Sequence, residues 1–132
     1  MKSGLEKYCN QKLTEAGFDF NYEGESFELI PPFRYGGTYL SMTAKKKTLS
    51  DKTNKIVRGI SYTPDFILPK EKVIIETKGY IISNHSFPLR FKLFLLYLTE
   101  NDMGDWSIYL IKNREQVNLT IDLIKNGQSG IK

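Results

Sequence analysis

The sequence predicts a mixed α/β domain, with helices flanking a central sheet of mixed strand direction. Three observations carry this. Leu5, Tyr8, Cys9, Leu13 and Ala16 recur at helical spacing near the start of the chain. Two apolar runs, Thr63–Leu68 and Val73–Lys78, flank a short polar turn and read as a hairpin. After them come a helix-length stretch, a β-rich stretch and a second helix-length stretch. The predicted core order is α-β-β-β-α-β.

Taken in order, Ser3 followed three residues later by Glu6 is a capping-box pattern, and Gly17 closes the first helix. Phe18–Tyr22 and Ser26–Ile30 read as extended, and Pro31-Pro32 breaks what precedes it. Ile81–Ser86 reads as a loop. Pro88 suits a helix start, and Leu89–Glu100 follows as a helix with Phe91, Phe94, Leu95 and Leu98 on its buried face. Trp106–Ile111 is a predicted strand. Arg114–Lys125 is a predicted final helix closed by Asn126-Gly127, and Gln128–Lys132 is expected to fray.

The stretch from Phe33 to Ser61 is read in two ways, as a β-ribbon or as a disordered loop. Gly36-Gly37 interrupts its first β-like run, and Lys45, Lys46, Lys47, Lys52, Lys55 and Arg58 make it basic. A solvated loop would explain the lysines. Beside a metal site, a phosphate-contacting element explains them better.

Composition bounds the rest. A chain of 132 residues with 40% hydrophobic and 13% aromatic content fits one globular domain, 1–132, with a basic insertion at about 33–61. No run is long enough to span a membrane, and the N-terminus has no signal-peptide core. Cys9 is the one cysteine, which excludes an internal disulfide and suits a reducing, cytoplasmic setting. It is expected to be a buried structural thiol. His85 is the one histidine, so a Ser-His-Asp triad or a histidine-rich zinc site is hard to build. The net charge of +4 is compatible with a polyanionic partner.

The chemistry concentrates in the hairpin. If its strands pair straight across Pro69-Lys70-Glu71-Lys72, Leu68 faces Val73 and Asp65 faces Glu76. Glu76 and Lys78 then share a face by alternation, and Asp65 joins them with its Cβ roughly 5 Å from that of Glu76. Like charges so opposed are destabilising unless a cation lies between them. Mg²⁺ is the natural candidate, with Mn²⁺ as a substitute, because it takes oxygen ligands and keeps several waters beside one or two carboxylates.

Pro64-Asp65 followed by Glu76-Thr77-Lys78, within the α-β-β-β-α-β order, resembles the PD-(D/E)xK nucleases. The chain is similar, more closely, to the endonuclease I Holliday-junction resolvases of short-tailed phages. That resemblance rests on Ser3-Gly4-Leu5-Glu6, on Gly17-Phe18-Asp19-Phe20-Asn21-Tyr22-Glu23, on Tyr62-Thr63-Pro64-Asp65-Phe66 and on Glu76-Thr77-Lys78-Gly79. It covers roughly residues 3 to 80. The chain also resembles a family of small phage proteins that share an aromatic-Pro-Asp-Phe strand, a Lys-Gly after the acidic strand and an aromatic-rich helix. The basic excursion looks longer than in the resolvases, and the chain past Gly79 matches poorly.

The resemblance implies a restriction-endonuclease-like core and metal-dependent hydrolysis of DNA phosphodiesters, with branched DNA as the expected substrate and a homodimer as the assembly. Asp65 and Glu76 would hold the metal, and the carbonyl of Thr77 would add a backbone ligand. Lys78 would position the attacking water or stabilise the developing charge. Glu6 would complete a second metal position or orient a water, and it also reads as the capping-box acid. Glu23, Glu25 and Glu28 read as surface acids. Arg90 and Lys92 are candidate phosphate contacts, against a snorkelling role over the aromatic face. The rival readings are a restriction-like or recombination nuclease on linear DNA, a non-catalytic DNA-binding protein that keeps a nuclease fold, and an RNA-binding module. The last should show a platform of exposed aromatics, whereas the tyrosines and phenylalanines here read mainly as core.

Overall fold

The computed structural model describes residues 3–42, 45, 47–78 and 86–127. Its first elements are α1 (Gly4–Glu15), β1 (Asn21–Tyr22), β2 (Phe27–Ile30), β3 (Phe33–Arg34) and β4 (Leu40–Ser41). Then come β5 (Ser50–Asp51), β6 (Ile56–Val57), β7 (Ile60–Tyr62), β8 (Phe66–Leu68) and β9 (Val73–Thr77). The chain ends with α2 (Phe87–Glu100), β10 (Ser107–Ile111) and α3 (Arg114–Lys125). It divides into two compact units, one of Met1–Phe27 with Tyr62–Lys132 and one of Glu28–Ser61.

The first unit is a mixed α/β structure. Its sheet has the order β1-β8-β9-β10. β8 runs antiparallel to β1 and to β9, and β9 runs parallel to β10. A parallel pair needs a crossover, and α2 supplies it. The hairpin register is the one read from the sequence, with Leu68 opposite Val73 and Phe66 opposite Ile75. Lys72 closes the turn in the left-handed region, at φ 56°, and donates its N–H to the Pro69 carbonyl.

Local chemistry explains the helix ends. Ser3 is extended, and its Oγ accepts from the Glu6 N–H at 3.1 Å, which satisfies an orphan donor of α1. Gly17, at φ +82°, donates to the Thr14 carbonyl while Phe18 donates to that of Leu13. This paired closure calls for a residue that tolerates the left-handed region. Asn113 caps α3 through the Gln116 N–H at 2.9 Å.

One core cluster joins Cys9 and Leu13 of α1, Phe66 and Leu68 of β8, Val73 and Ile75 of β9, Ile111 of β10, and Val117, Ile121 and Ile124 of α3. Phe94 of α2 packs elsewhere, with ring centroids 4.7 Å from Tyr62 and 5.1 Å from Phe27. All five β9 residues are buried, which is why that strand reads as a continuous apolar run without alternation.

α2 departs from expectation in one respect. Phe94 and Leu98 are buried, but Leu95 is 41% exposed. Phe87, Phe91, Phe94 and Leu98 form one stripe at helical spacing, and Leu95 is rotated about 100° from Phe94, off that stripe. The helix also starts two residues earlier than Leu89, with Pro88 in its first turn. Among the described residues, no helix is long and apolar enough to cross a membrane.

The second unit is a β-ribbon, which decides between the two readings of the 33–61 stretch. β2 pairs with β7, and the antiparallel pairs β3–β6 and β4–β5 continue outward. Gly59 is required where the two arms approach. A Cβ there would lie 2.4 Å from the Ile30 carbonyl oxygen. Lys46, Gly79, residues 81–85 with His85, and residues 128–132, for which a loop and fraying were expected, lie outside the described residues.

Candidate active site

The site is built at the ends of β8 and β9. Glu76 is 5% exposed, and each of its oxygens has a partner. Oε1 accepts from the Tyr62 hydroxyl at 2.7 Å and from the Asp65 N–H at 3.3 Å. Oε2 pairs with the Lys78 ammonium at 3.1 Å. That ammonium also lies 4.0 Å from the centroid of the Phe87 ring, in the first turn of α2. Glu76 and Lys78 therefore share a face, as alternation requires.

Asp65 is not a ladder partner of Glu76, contrary to expectation. The ladder stops at Phe66, and the buried Pro64 before Asp65 has no N–H to extend it. The chain bends at Asp65. The backbone N–H of Asp65 donates to Glu76, and the charge of Asp65 acts on the same carboxyl. The side-chain Oδ2 accepts from both the N–H of Thr77, at 2.8 Å, and its hydroxyl, at 2.7 Å. The two acids thus approach the end of β9 with separate hydrogen-bonded supports.

Glu6 joins them from α1. It is 8% exposed, and its Oε2 accepts from the Tyr22 hydroxyl. Its Oε1 lies 3.4 Å from Ser3 Oγ, so Glu6 serves the helix cap as well as facing the sheet.

The electrostatics record the crowding. Burial lifts the Asp65 carboxyl above its ordinary range; Thr77 opposes this and the charge of Glu6 adds to it. Burial also raises Glu76, followed by the charge of Asp65, while Tyr62 and Lys78 oppose. The Tyr62 and Tyr22 hydroxyls are pushed up by burial and by their carboxylate partners. Three carboxylates gather beside Lys78, an excess of negative charge that a divalent cation could offset.

Among the described residues, no three His, Cys, Asp or Glu side chains are drawn together tightly enough to enclose a metal ion. Asp65 and Glu76 could supply side-chain ligands. Such a donor set, completed by backbone oxygen and water, fits Mg²⁺. Thr77 follows Glu76 directly, and its N–H and hydroxyl are committed to Asp65, so its carbonyl could be the backbone oxygen.

The remaining candidates separate. Lys45, Lys47, Lys52, Lys55 and Arg58 are exposed on the ribbon unit, and Lys92 is exposed on α2. Arg90 turns inward instead. Its Nε is buried without a hydrogen-bond partner, and its charge acts on the Tyr62 hydroxyl. Arg90 is thus part of the surroundings of Glu76, unlike Lys92.

Sequence reasoning assigned no role to Tyr22, Tyr62 or Phe87. Both tyrosines stood inside the quoted motifs, in Asn21-Tyr22-Glu23 and Tyr62-Thr63-Pro64-Asp65. Their signal was a polar-tipped aromatic beside acids, which needs a partner when buried.

No family model matches the chain, and no curated protein or solved structure matches it either.

Proposed function

We propose that this chain is a divalent-metal-dependent endodeoxyribonuclease with a restriction-endonuclease-like core, acting on branched DNA. The observation that carries the reading is the gathering of Asp65, Glu76 and Lys78 at the ends of two paired strands, with Glu6 added from α1. Asp65 and Glu76 would hold the metal. When bound there, Mg²⁺ supplies a Lewis acid for the phosphoryl oxygen and a more acidic water.

The chain's own groups do the rest. Thr77 fixes the Asp65 carboxylate through two donors. Tyr62 fixes one oxygen of Glu76, leaving the other toward Lys78. The Lys78 ammonium orients the attacking water or meets negative charge as it develops on the phosphate, where a preorganised donor acts most strongly. In hydrolysis the water oxygen forms a new bond to phosphorus as the bond to the leaving oxygen breaks, and a proton from the water ends on that oxygen.

The basic ribbon would contribute phosphate contacts that set affinity and salt dependence. Resolution of a four-way junction needs two nicks, and one chain carries one Asp65-Glu76-Lys78 set, so the working form would be a homodimer.

The test is a cleavage panel in Mg²⁺ with end-labelled four-way junction, flap, linear duplex and single-stranded DNA. Paired symmetric nicks in the junction support the reading. Cleavage of linear duplex alone favours the restriction-like alternative. No cleavage of any substrate, with DNA binding retained, favours the non-catalytic one.

A further inference from the structure

We propose that one face of the ribbon unit is a stacking surface for unpaired bases, so that the protein holds single-stranded DNA by its bases as well as its phosphates.

Charge points to a polyanion. Residues 28–61 carry seven Lys and Arg against two Asp and Glu, a formal +5 in a chain whose total is +4. The rest of the chain is thus −1, and the whole positive excess belongs to the ribbon.

Exposure points to bases. Phe33, Tyr35 and Tyr39 are 48%, 45% and 48% exposed. The sequence reading placed the tyrosines and phenylalanines mainly in the core, and these three lie outside it. In this unit the strand segments are two to four residues long and bury little, so the rings have no core to enter.

Register sets each tyrosine opposite a lysine. Tyr35 donates its N–H to the Lys55 carbonyl, and Lys52 donates its N–H to the Tyr39 carbonyl at 2.7 Å. The two tyrosine rings lie 6.5 Å apart at 80°, so they form no stack with each other. The Tyr35 ring rests over Gly37, where a Cβ would come within 2.7 Å of its Cζ. That glycine holds one side of the ring in place.

An alternation of aromatic faces and cations is how proteins bind single strands without sequence preference. The bases stack and the phosphates meet the lysines. Duplex DNA hides its base faces, so the rings gain nothing from it. The choice of DNA over RNA rests on the nuclease reading; the stacking surface does not.

The experiment uses the full chain in EDTA, so cleavage plays no part. Fluorescence anisotropy compares labelled oligothymidylate, an equally long abasic strand with the same phosphates, and oligouridylate. Oligothymidylate should bind at least about tenfold tighter than the abasic strand. Tyr35→Leu/Tyr39→Leu should lower oligothymidylate affinity most of the way to the abasic level with an unchanged salt slope. Tyr35→Phe/Tyr39→Phe, which keeps both ring faces, should bind like wild type and so separates stacking from folding. Lys52→Ala/Lys55→Ala should flatten the salt slope by about 0.7 per lysine.

Equal binding of the base-bearing and abasic strands overturns the proposal. So does a Leu double variant that binds oligothymidylate like wild type. Tighter binding of oligouridylate overturns the assignment to DNA. The nuclease reading stands or falls separately, on Mg²⁺-dependent cutting through Asp65 and Glu76.

Discussion

The hydroxyl of Tyr62 donates to Oε1 of Glu76 at 2.7 Å, with both residues 5% exposed. A buried carboxylate oxygen left with one long backbone donor would be under-satisfied, so this contact decides where Glu76 points. Groups that support a metal ligand in this way are worth about 10- to 100-fold in affinity or activity.

Tyr62→Phe keeps the ring against Phe94 and removes only the donor. It is expected to lower Mg²⁺ affinity or cleavage about 10- to 100-fold. It should also cost about 1–3 kcal/mol of stability in EDTA. Calorimetric Mg²⁺ titration and urea unfolding read the two effects. Wild-type cleavage in this variant would remove Glu76 from the metal site.

Lys78 is steered by two groups, the Glu76 carboxylate and the face of Phe87. Lys78→Ala should cut single-turnover cleavage at least about 100-fold with DNA affinity nearly unchanged. Phe87→Leu removes the ring but not the bulk. A desolvated cation–π contact of about 2 kcal/mol corresponds to roughly 30-fold, so a loss up to that size is expected. Phe87→Tyr should restore the rate, which a purely packing role would not require. Reduced DNA affinity with intact cutting of bound substrate would make Lys78 a phosphate contact only.

The fold was legible where two independent signals agreed. Ser3 with Gly17 framed α1, and the proline-opened turn with flanking β-branched residues set the hairpin register. The site residues were legible as types and not as geometry. Alternation placed Glu76 and Lys78 on one face, but it extended the ladder through Asp65, where Pro64 ends it. Nor can sequence spacing bring Tyr22 and Tyr62 to their acids, because those contacts span 16 and 14 residues and depend on tertiary packing. The ribbon was ambiguous because paired segments of two residues carry too little alternation to register as strands.

Cys9 is fully buried, and burial pushes its thiol up to about 12, with the charge of Asp65 adding to the shift. At pH 8 the native protein should resist iodoacetamide, with labelling at least about 100-fold slower than in urea. The sign of the linked stability change follows. The folded value lies above the unfolded one of about 8.5, so stability is full below that and falls as pH rises toward about 12. Cys9→Ala should fall less steeply over this range, since the raised Tyr22 and Tyr62 hydroxyls titrate in both proteins. Rapid native labelling would contradict the burial.

The raised carboxyls of Asp65 and Glu76 predict how stability depends on pH and metal together. A carboxyl with a raised folded value keeps its proton longer in the folded chain than in the unfolded one. Its contribution is full below the unfolded value and is lost as pH rises through the folded value. The exposed Asp19 and Asp105, lowered by Lys70 and Lys72, act in the opposite sense. Wild type must therefore be compared with Asp65→Asn/Glu76→Gln, which leaves those pairs intact. In EDTA the double variant should gain stability relative to wild type as pH rises from about 4 to 8. Mg²⁺ should stabilise wild type increasingly over the same range, because its ligands must be deprotonated. At 100 times Kd the gain is about 2.7 kcal/mol. The double variant should show no Mg²⁺ stabilisation and no cleavage. Urea unfolding at several pH values, with and without Mg²⁺, reads all of this. Equal Mg²⁺ stabilisation of both proteins would place the metal elsewhere. A stability difference that does not change with pH would mean that burial does not raise these carboxyls in the folded chain.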